Sequence, residues 1–201
     1  MNAYEITKEK KNWLIAGVDE AGRGPLAGPV TAACVVLPQG YENKMVQDSK
    51  KLSSKLRQEL CREIKEVAVA YAVVSVGHRR IDQINIREAT RLAMGLASGK
   101  VQAQLKRSIH FLVDGNTEMR SKLSQQTIIK GDSLVPSISA ASILAKETRD
   151  ALMLELDIRY PGYGLAGHKG YPTKKHKEAI GQIGPSRIHR RTFAGVKEWL
   201  P

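Results

Sequence analysis

The stretch WLIAGVDEAGRGPLAGPVTAACVVL, residues 13–37, decides the fold. It begins with the short apolar run WLIAGV and ends with the β-branched run PVTAACVVL, and each run predicts a buried strand. The glycine-rich segment between them predicts that the two strands are neighbours in a sheet, a hairpin with a long connection. Two adjacent acids, Asp19 and Glu20, follow the first run directly. The stretch therefore predicts the start of a sheet and a negatively charged position at its edge.

Strand-like and helix-like patterns alternate along the rest of the chain. Three further strands are predicted, VAVAYAVVSV (67–76), SIHFLVD (108–114) and QQTIIKGD (125–132). Helical spacing predicts SSKLRQELCREIKEV (53–67, Ser53 as N-cap), INIREATRLAMGLA (84–97), SISAASILAKETRDALMLEL (137–156) and KKHKEAIGQI (174–183). Because strands and helices alternate, we expect an α/β domain with a mixed sheet over residues 1–159. Residues 160–201 differ in composition and are expected to form a small, basic helical extension.

The chain is strongly basic, and the charge is uneven. It has 32 Lys and Arg against 20 Asp and Glu, a net charge of +12, and residues 168–201 hold eight basic residues against two acids. Basic surfaces attract phosphate backbones and release their counterions, so a local excess favours a nucleic-acid partner. A solubilising surface is the alternative interpretation.

The composition also narrows the class of protein. A length of 201 residues with 42% hydrophobic residues suits one folded domain. Cys34 and Cys61 show no CxxC pairing, which disfavours a sulfur-ligated metal or a disulfide framework and suits a reducing cytosol. The N-terminal segment has no signal-peptide core, and no apolar run is long enough to span a bilayer. We therefore expect a cytoplasmic protein without a membrane segment.

Acids end three of the predicted strands: Asp19 with Glu20, then Asp114, then Asp132. Functional groups gather at strand ends in open α/β sheets. Clustered carboxylates repel and resist ionising unless divalent cations neutralise them, and Mg²⁺ and Mn²⁺ prefer oxygen ligands. Two such ions can activate a water and steady the leaving oxygen in phosphodiester hydrolysis. The pattern predicts such a site, although any one of these acids could be an ordinary turn-forming strand exit.

The segment after the first acids contains Gly-Arg-Gly at 22–24. Adjacent residues of a regular strand point to opposite faces, so Asp19 and Glu20 share a site only if the strand twists or breaks, or if one contributes its carbonyl. The glycines favour such a break. Their spacing, and the prolines nearby, differ from a dinucleotide-binding loop. We interpret the segment as a loop whose backbone approaches a ligand, with Arg23 holding a phosphate.

Six segments occur in a fixed order: AGVDEAGRGPLAGPV, DSKKLS, LVDGN, KGD, SAASILAK and HKGYPT. Together they resemble the ribonuclease HII family (type 2 ribonuclease H) over about residues 14–193. The resemblance implies a ribonuclease H-like mixed β-sheet flanked by helices, with a small C-terminal helical extension. It also implies an endonuclease that hydrolyses the RNA strand of RNA–DNA hybrids and nicks duplex DNA 5′ to embedded ribonucleotides. Two Mn²⁺ or Mg²⁺ ions would serve it, and the products would carry 3′-hydroxyl and 5′-phosphate ends.

The resemblance also implies roles for particular residues. Catalytic metal ligands fall on Asp19, Glu20, Asp114 and Asp132, and ribose recognition falls on Gly22, Arg23 and Gly24. Tyr171 would sense the RNA–DNA junction, and further substrate contacts are expected at Lys50, Ser142, His168 and Lys169. We expect a monomer that binds RNA–DNA hybrid and ribonucleotide-containing duplex, with any clamp or polymerase partner left open.

Two other functions are compatible with parts of the pattern. Another metal-dependent nuclease of the same broad fold, such as a junction resolvase, would share the acids but not Gly-Arg-Gly together with HKGY. A non-catalytic nucleic-acid-binding module would share the basic tail but has no use for acids at three strand ends. A zinc site at His168 and His176 lacks a third ligand at a usable spacing, so phosphate contact or packing is expected of them.

Overall fold

The computed structural model describes residues 13–41, 43, 46 and 53–200. The strands in these ranges are β1 (Leu14–Ala21), β2 (Val30–Val36), β3 (Ala70–Val76), β4 (Ile109–Asp114) and β5 (Gln125–Ile128). The helices are α1 (Ser54–Val67), α2 (His78–Leu105), α3 (Pro136–Arg159), α4 (Leu165–His168) and α5 (Lys174–Ile183), with 3₁₀ turns at Gly131–Ser133 and Lys197–Trp199.

The strands form one mixed sheet in the order β3-β2-β1-β4-β5. The first three strands pair antiparallel, which confirms the predicted hairpin, whereas β4 and β5 run parallel to β1. Val18 of β1 pairs with Val113 of β4, so the next residues along, Asp19 and Asp114, emerge side by side. The topology thus places two of the predicted acids side by side near the C-terminal ends of two central strands.

Helices cover both faces of the sheet. One apolar cluster joins β1–β4 to α2, and a second joins β2 to α1 and the first half of α3. The small residues at the start of α3 allow it to lie very close to β1. A Cβ on Gly17 would overlap the backbone of Ser137, so this approach requires glycine. The close packing fixes the position of α3 relative to the acids of β1.

Two predicted strand ends differ from the structure. β1 does not break after Val18 but continues through Ala21, because its ladder with β2 continues as well. β5 ends at Ile128 rather than at Asp132. Lys130 has a left-handed backbone (φ +58°), which turns the chain into the 3₁₀ helix that contains Asp132.

The predicted helices are confirmed, with two refinements. Ser53 caps α1 by accepting a hydrogen bond from the Leu56 N–H. α2 begins earlier than predicted and is kinked at Asn85, whose φ is +64° and whose side chain accepts from the Glu88 N–H, as an N-cap does. None of the helices among the described residues is long and apolar enough to cross a membrane.

The C-terminal residues pack against the loop between β1 and β2. Leu26 and Ala27 of that loop share an apolar cluster with residues of α3, with Leu165, with Ile180 and with Val196. The backbone N–H of Leu26 donates to the Gly170 carbonyl at 2.8 Å. The C-terminal segment therefore supports the Gly-Arg-Gly loop; the division of the chain at residue 160 stays a prediction.

Candidate active site

The first two acids lie next to each other within β1. Asp19 is 5% exposed, and its Oδ1 accepts a hydrogen bond from the Glu20 N–H at 2.7 Å. A hydrogen bond from Ser142 of α3 reaches the Asp19 carboxyl, so Asp19 faces that helix. Glu20 lines clefts on both sides of the sheet edge. β1 continues without the predicted break, so the two side chains leave the strand on opposite faces. They are still close enough for the charge of Glu20 to act on Asp19.

The other two acids lie beside them, on and after β4. Asp114 is the last residue of β4, and its Oδ1 accepts from the Asp132 N–H at 3.2 Å. Asp132 is 4% exposed, and its carboxylate accepts from the Ser133 hydroxyl. This hydrogen bond ties Asp114, at the end of β4, to Asp132, in the 3₁₀ helix that follows β5.

The carboxyl groups of this edge disturb one another electrostatically. The pKa of Asp19 is raised well above its usual value by burial, and further by the charges of Glu20 and Asp114. Burial also raises the pKa of Glu20, although Arg23, whose Nη1 lies 3.4 Å from Glu20 Oε1, opposes the shift. The cluster is therefore costly to ionise, and added positive charge would relieve that cost.

A divalent cation fits the chemistry of this donor set, because hard carboxylate oxygens are what Mg²⁺ and Mn²⁺ prefer. Within the ranges that the structure describes, however, no three His, Cys, Asp or Glu side chains already converge as a set that could hold an ion. The acids are close enough to interact but are not arranged in advance as a coordination shell.

The Gly-Arg-Gly loop is held by two buried arginines that the sequence reasoning missed. Arg190 is fully buried and donates to the carbonyls of Gly22 (2.6 Å), Arg23 (2.8 Å), Gly28 (3.1 Å) and Pro29 (3.1 Å). Burial, and then the like charge of Arg149, lower the pKa of Arg190 to about 9. Its hydrogen-bond partners are backbone carbonyls, so it acts as a clamp on the loop.

Arg149 of α3 also holds this loop, and it shares the Pro29 carbonyl with Arg190. It is 1% exposed and donates to the carbonyls of Pro29 (2.9 Å), Ala27 (3.3 Å) and Lys169 (3.0 Å). Gly22 has φ +95°, and a Cβ there would overlap the Arg149 side chain. The glycine at position 22 therefore makes room for Arg149. This differs from the sequence-based interpretation, in which the bare backbone made room for a ligand.

Gly24 and Tyr171 form an open part of the same surface. A Cβ on Gly24 would meet Tyr171 Cε1 at 3.6 Å, an ordinary contact, and Tyr171 is 41% exposed. The Arg149 guanidinium lies 5.9 Å from the centre of the Tyr171 ring. The cleft lined by residues 20–24 also includes Ser142 and Tyr171, together with Arg57 and Lys146. The structure thus brings most of the predicted substrate-binding residues into one cleft next to Glu20.

The other residues predicted to contact the substrate either do not line this cleft or lie outside the described residues. Both ring nitrogens of His168 bond within the protein, Nε2 with the Tyr163 carbonyl (2.9 Å) and Nδ1 with the Gly170 N–H (3.2 Å). The Lys169 ammonium donates to the Ala166 carbonyl. Lys50 lies outside the described residues. Cys34 and Cys61 are buried free thiols.

A smaller cleft on the α2 side of the acids was also not predicted. It is lined by Glu20 and Asp114, by Arg87 and Arg91 of α2, and by the segment 115–117 after β4. Arg91 is engaged by Glu88 at 2.9 Å and by the Glu118 carbonyl at 2.9 Å. Positive side chains therefore flank the acids on this side as well.

Known proteins resemble this chain over most of its length. The family model that matches is Ribonuclease HII, over residues 16–196. The Ribonuclease HII of Geobacter metallireducens is 52% identical over 184 residues, which cover 92% of this chain and 85% of that protein. The crystal structure of the ribonuclease H2 from Pyrococcus horikoshii OT3 is similar with a TM-score of 0.76 and 26% identity, covering 92% of this chain and 95% of that one. The structure of Bst-RNase HIII in complex with Mn²⁺ has a TM-score of 0.72 at 18% identity, covers 92% of this chain and 68% of that one, and supports the fold alone.

Proposed function

The chain belongs to the ribonuclease HII family, and from this premise we propose that it nicks duplex DNA on the 5′ side of embedded ribonucleotides with the help of two divalent cations. Members of the family are metal-dependent endoribonucleases that act on the RNA strand of RNA–DNA hybrids, and this chain is one of them. The observation that carries the finer proposal is the cleft that joins Glu20, the Gly-Arg-Gly loop and Tyr171.

Asp19, Glu20, Asp114 and Asp132 are the proposed cation ligands. Their support is the raised pKa of Asp19 and Glu20, a repulsion that bound cations would offset. Bound cations would activate a water and stabilise the leaving oxygen. Ser142 holds the Asp19 carboxyl by a hydrogen bond. The protein's own contribution is to hold the acids together near the ends of the central strands and to shield them from solvent, since Asp19 and Asp132 are buried.

The Gly-Arg-Gly loop is the proposed reader of the ribose. Arg190 engages the carbonyls of Gly22 and Arg23. Within the described chain, the N–H groups of Arg23 and Gly24 donate to no protein atom, and both residues are exposed. These donors suit the oxygen of a 2′-hydroxyl or a phosphate, and the absent Cβ of Gly24 lets a sugar come close. Arg23 is free to hold a phosphate with the part of its guanidinium that Glu20 does not engage.

Tyr171 is the proposed sensor of the next nucleotide. Its half-exposed ring lies beside Gly24 and offers a flat face on which a sugar could stack. A 2′-hydroxyl in that position would crowd the ring, so deoxyribose would be preferred there. The predicted specificity is therefore for a ribonucleotide followed by a deoxyribonucleotide.

The wider setting follows the same reasoning. We propose a monomer that acts in the cytoplasm, where the free thiols Cys34 and Cys61 would stay reduced. Residues 160–201 are proposed to contribute a basic surface for the duplex, since Lys174, Lys175 and Lys177 of α5 are exposed.

A cleavage assay tests the proposal. The substrates are a long RNA–DNA hybrid, a DNA duplex with one ribonucleotide and the same duplex without it, each with Mg²⁺, with Mn²⁺ and with EDTA. The proposal expects both ribonucleotide-containing substrates to be cut only when a cation is present. Cleavage of the hybrid but not of the single-ribonucleotide duplex would overturn the finer proposal, and cleavage of the all-DNA duplex would favour a nuclease of another specificity.

A further inference from the structure

The HKGY segment rests on a buried cluster of histidines. His176 of α5 and His189 are both fully buried, and their Nε2 atoms lie 3.1 Å apart. The His168 ring stacks on His176 with centroids 4.4 Å apart. All four ring nitrogens of His176 and His189 have hydrogen-bond partners, and these partners fix which nitrogen of each ring carries the proton.

The proton positions follow from one fixed donor. The Ser186 backbone N–H can only donate, and it lies 3.0 Å from His189 Nδ1, so this nitrogen accepts. The neutral ring then carries its proton on Nε2 and donates it to His176 Nε2. His176 in turn carries its proton on Nδ1 and donates to the Tyr171 carbonyl at 2.9 Å. Hydrogen bonds thus run in one direction from Ser186 through both rings to the backbone of Tyr171.

The direction of this chain excludes other arrangements. A proton on His176 Nε2 would face the His189 Nε2–H, and a proton on His189 Nδ1 would face the Ser186 N–H. Burial lowers the pKa of both rings, which agrees with neutral imidazoles. Through the Tyr171 carbonyl the pair is bonded to a residue that lines the cleft.

We propose that His176 is a positioning residue for substrate recognition, which holds the main chain of Tyr171 so that its ring stays beside Gly24, while His189 keeps the His176 proton on Nδ1. The Tyr171 N–H donates to the His168 carbonyl at 2.9 Å, and the Gly170 carbonyl accepts from the Leu26 N–H of the loop. The Tyr171 carbonyl accepts from the Thr173 N–H at 2.8 Å within its own turn, and the His176 ring adds a bond to that carbonyl from α5. The proposal rests on the proposed role of Tyr171 and names what keeps that ring in place.

The two ends of the His176 ring can be removed separately. An Asn amide nitrogen lies at the δ position, as Nδ1 does, so His176→Asn keeps a donor for the Tyr171 carbonyl and loses the contact with His189. A Gln amide group lies at the ε position, so His176→Gln keeps the contact with His189 and loses the donor to Tyr171. Both variants carry the same amide group, which lies at the position of Nδ1 in Asn and of Nε2 in Gln.

The readout is the ratio of two rates: cleavage of the single-ribonucleotide duplex divided by cleavage of a long hybrid. Both rates are measured on one preparation, so the ratio does not depend on the folded fraction. One hydrogen bond corresponds to roughly a 2- to 10-fold effect, so His176→Gln should lower the ratio by that factor. His176→Asn should restore the ratio, and His176→Gln should have no further effect on it in a Tyr171→Ala background.

The outcomes separate the inference from the function on which it rests. If Tyr171→Ala leaves the ratio unchanged, the junction-sensing role of Tyr171 is wrong, and the inference falls with it. If Tyr171→Ala lowers the ratio but His176→Gln and His176→Asn both leave it unchanged, or lower it equally, the histidines are packing residues and the inference alone is overturned. A selective loss with Gln, rescued by Asn, supports it.

Discussion

Substituting Gly22 by alanine should destabilise the protein far more than the backbone angle alone explains. A left-handed φ costs a non-glycine residue about 1–2 kcal/mol. A Cβ at Gly22 would also displace Arg149, which donates to three backbone carbonyls. Hydrogen bonds that involve a charged group contribute about 1.5–3 kcal/mol each, so losing two of them adds about 3–6 kcal/mol. The total is a large share of the free energy of unfolding of a whole domain, which is about 5–15 kcal/mol.

Gly40→Ala supplies the matched control. Gly40 has φ +77°, and a Cβ there meets nothing within 4 Å, so the control measures the backbone cost alone. Urea unfolding of both variants, followed by tryptophan fluorescence, gives the two free energies. Equal losses for Gly22→Ala and Gly40→Ala would refute the idea that Gly22 makes room for Arg149. A Cβ at Gly24 would meet Tyr171 at an ordinary 3.6 Å, so Gly24→Ala should fold normally. It should instead lose cleavage of both the long RNA–DNA hybrid and the single-ribonucleotide duplex, because the Cβ would keep the sugar away from the loop.

Three further outcomes are expected. Asp114→Asn and Asp132→Asn should each lose cleavage by orders of magnitude yet keep the wild-type circular dichroism spectrum and melting transition, since each removes a charge but leaves an oxygen that can still accept; near-normal turnover in Mg²⁺ would remove that residue from the site. Burial, and then the repulsion that a protonated His176 would exert, lower the pKa of His189 to about 4. The unfolded chain gains this proton below about pH 6.5 while the folded chain does not, so stability should drop by about 3 kcal/mol between pH 6.5 and 4, and His189→Gln should flatten that part of a stability-against-pH curve. Replacing the exposed Lys174 and Lys175 by Gln should reduce the salt dependence of duplex binding, measured by fluorescence anisotropy, without changing the melting temperature, and an unchanged salt slope would make this charge a solubilising surface.

Local patterns in the sequence predict most of the architecture. The hairpin of β1 and β2, the helices α1, α3 and α5 and the mixed sheet all follow from apolar periodicity and from Ser53 as an N-cap. The predicted acids come together because parallel pairing of β1 and β4 brings Asp19 beside Asp114. Such features depend on neighbours in sequence or on the general rules of sheets, so a single sequence contains the signal.

The arginine clamp could not be predicted in this way. Arg190 bonds to carbonyls that lie more than 160 positions earlier in the chain, and backbone carbonyls carry no signal in the sequence. Arg190 instead appeared as part of a basic tail, although it is fully buried. The kink at Asn85 was also missed, because the predicted helix began at Ile84 and the helical turns before it, from His78, were not predicted. Phosphate contact or packing was expected of His176, and His189 was not singled out, since the hydrogen bonds between the two rings depend on the fixed donor at Ser186.

The most direct test of the account is to map the ends that the protein produces at one ribonucleotide embedded in duplex DNA. Mass spectrometry of the products formed with Mg²⁺ should find a single cut on the 5′ side of the ribonucleotide, with a 3′-hydroxyl on one fragment and a 5′-phosphate on the ribonucleotide. This is the result of water attacking the phosphorus from a cation-holding acidic site. A cut on the 3′ side that leaves a 2′,3′-cyclic phosphate would show that the 2′-hydroxyl attacks instead. The same 5′-side cut in EDTA would show that no cation is needed, and either result would contradict the role given to the four acids.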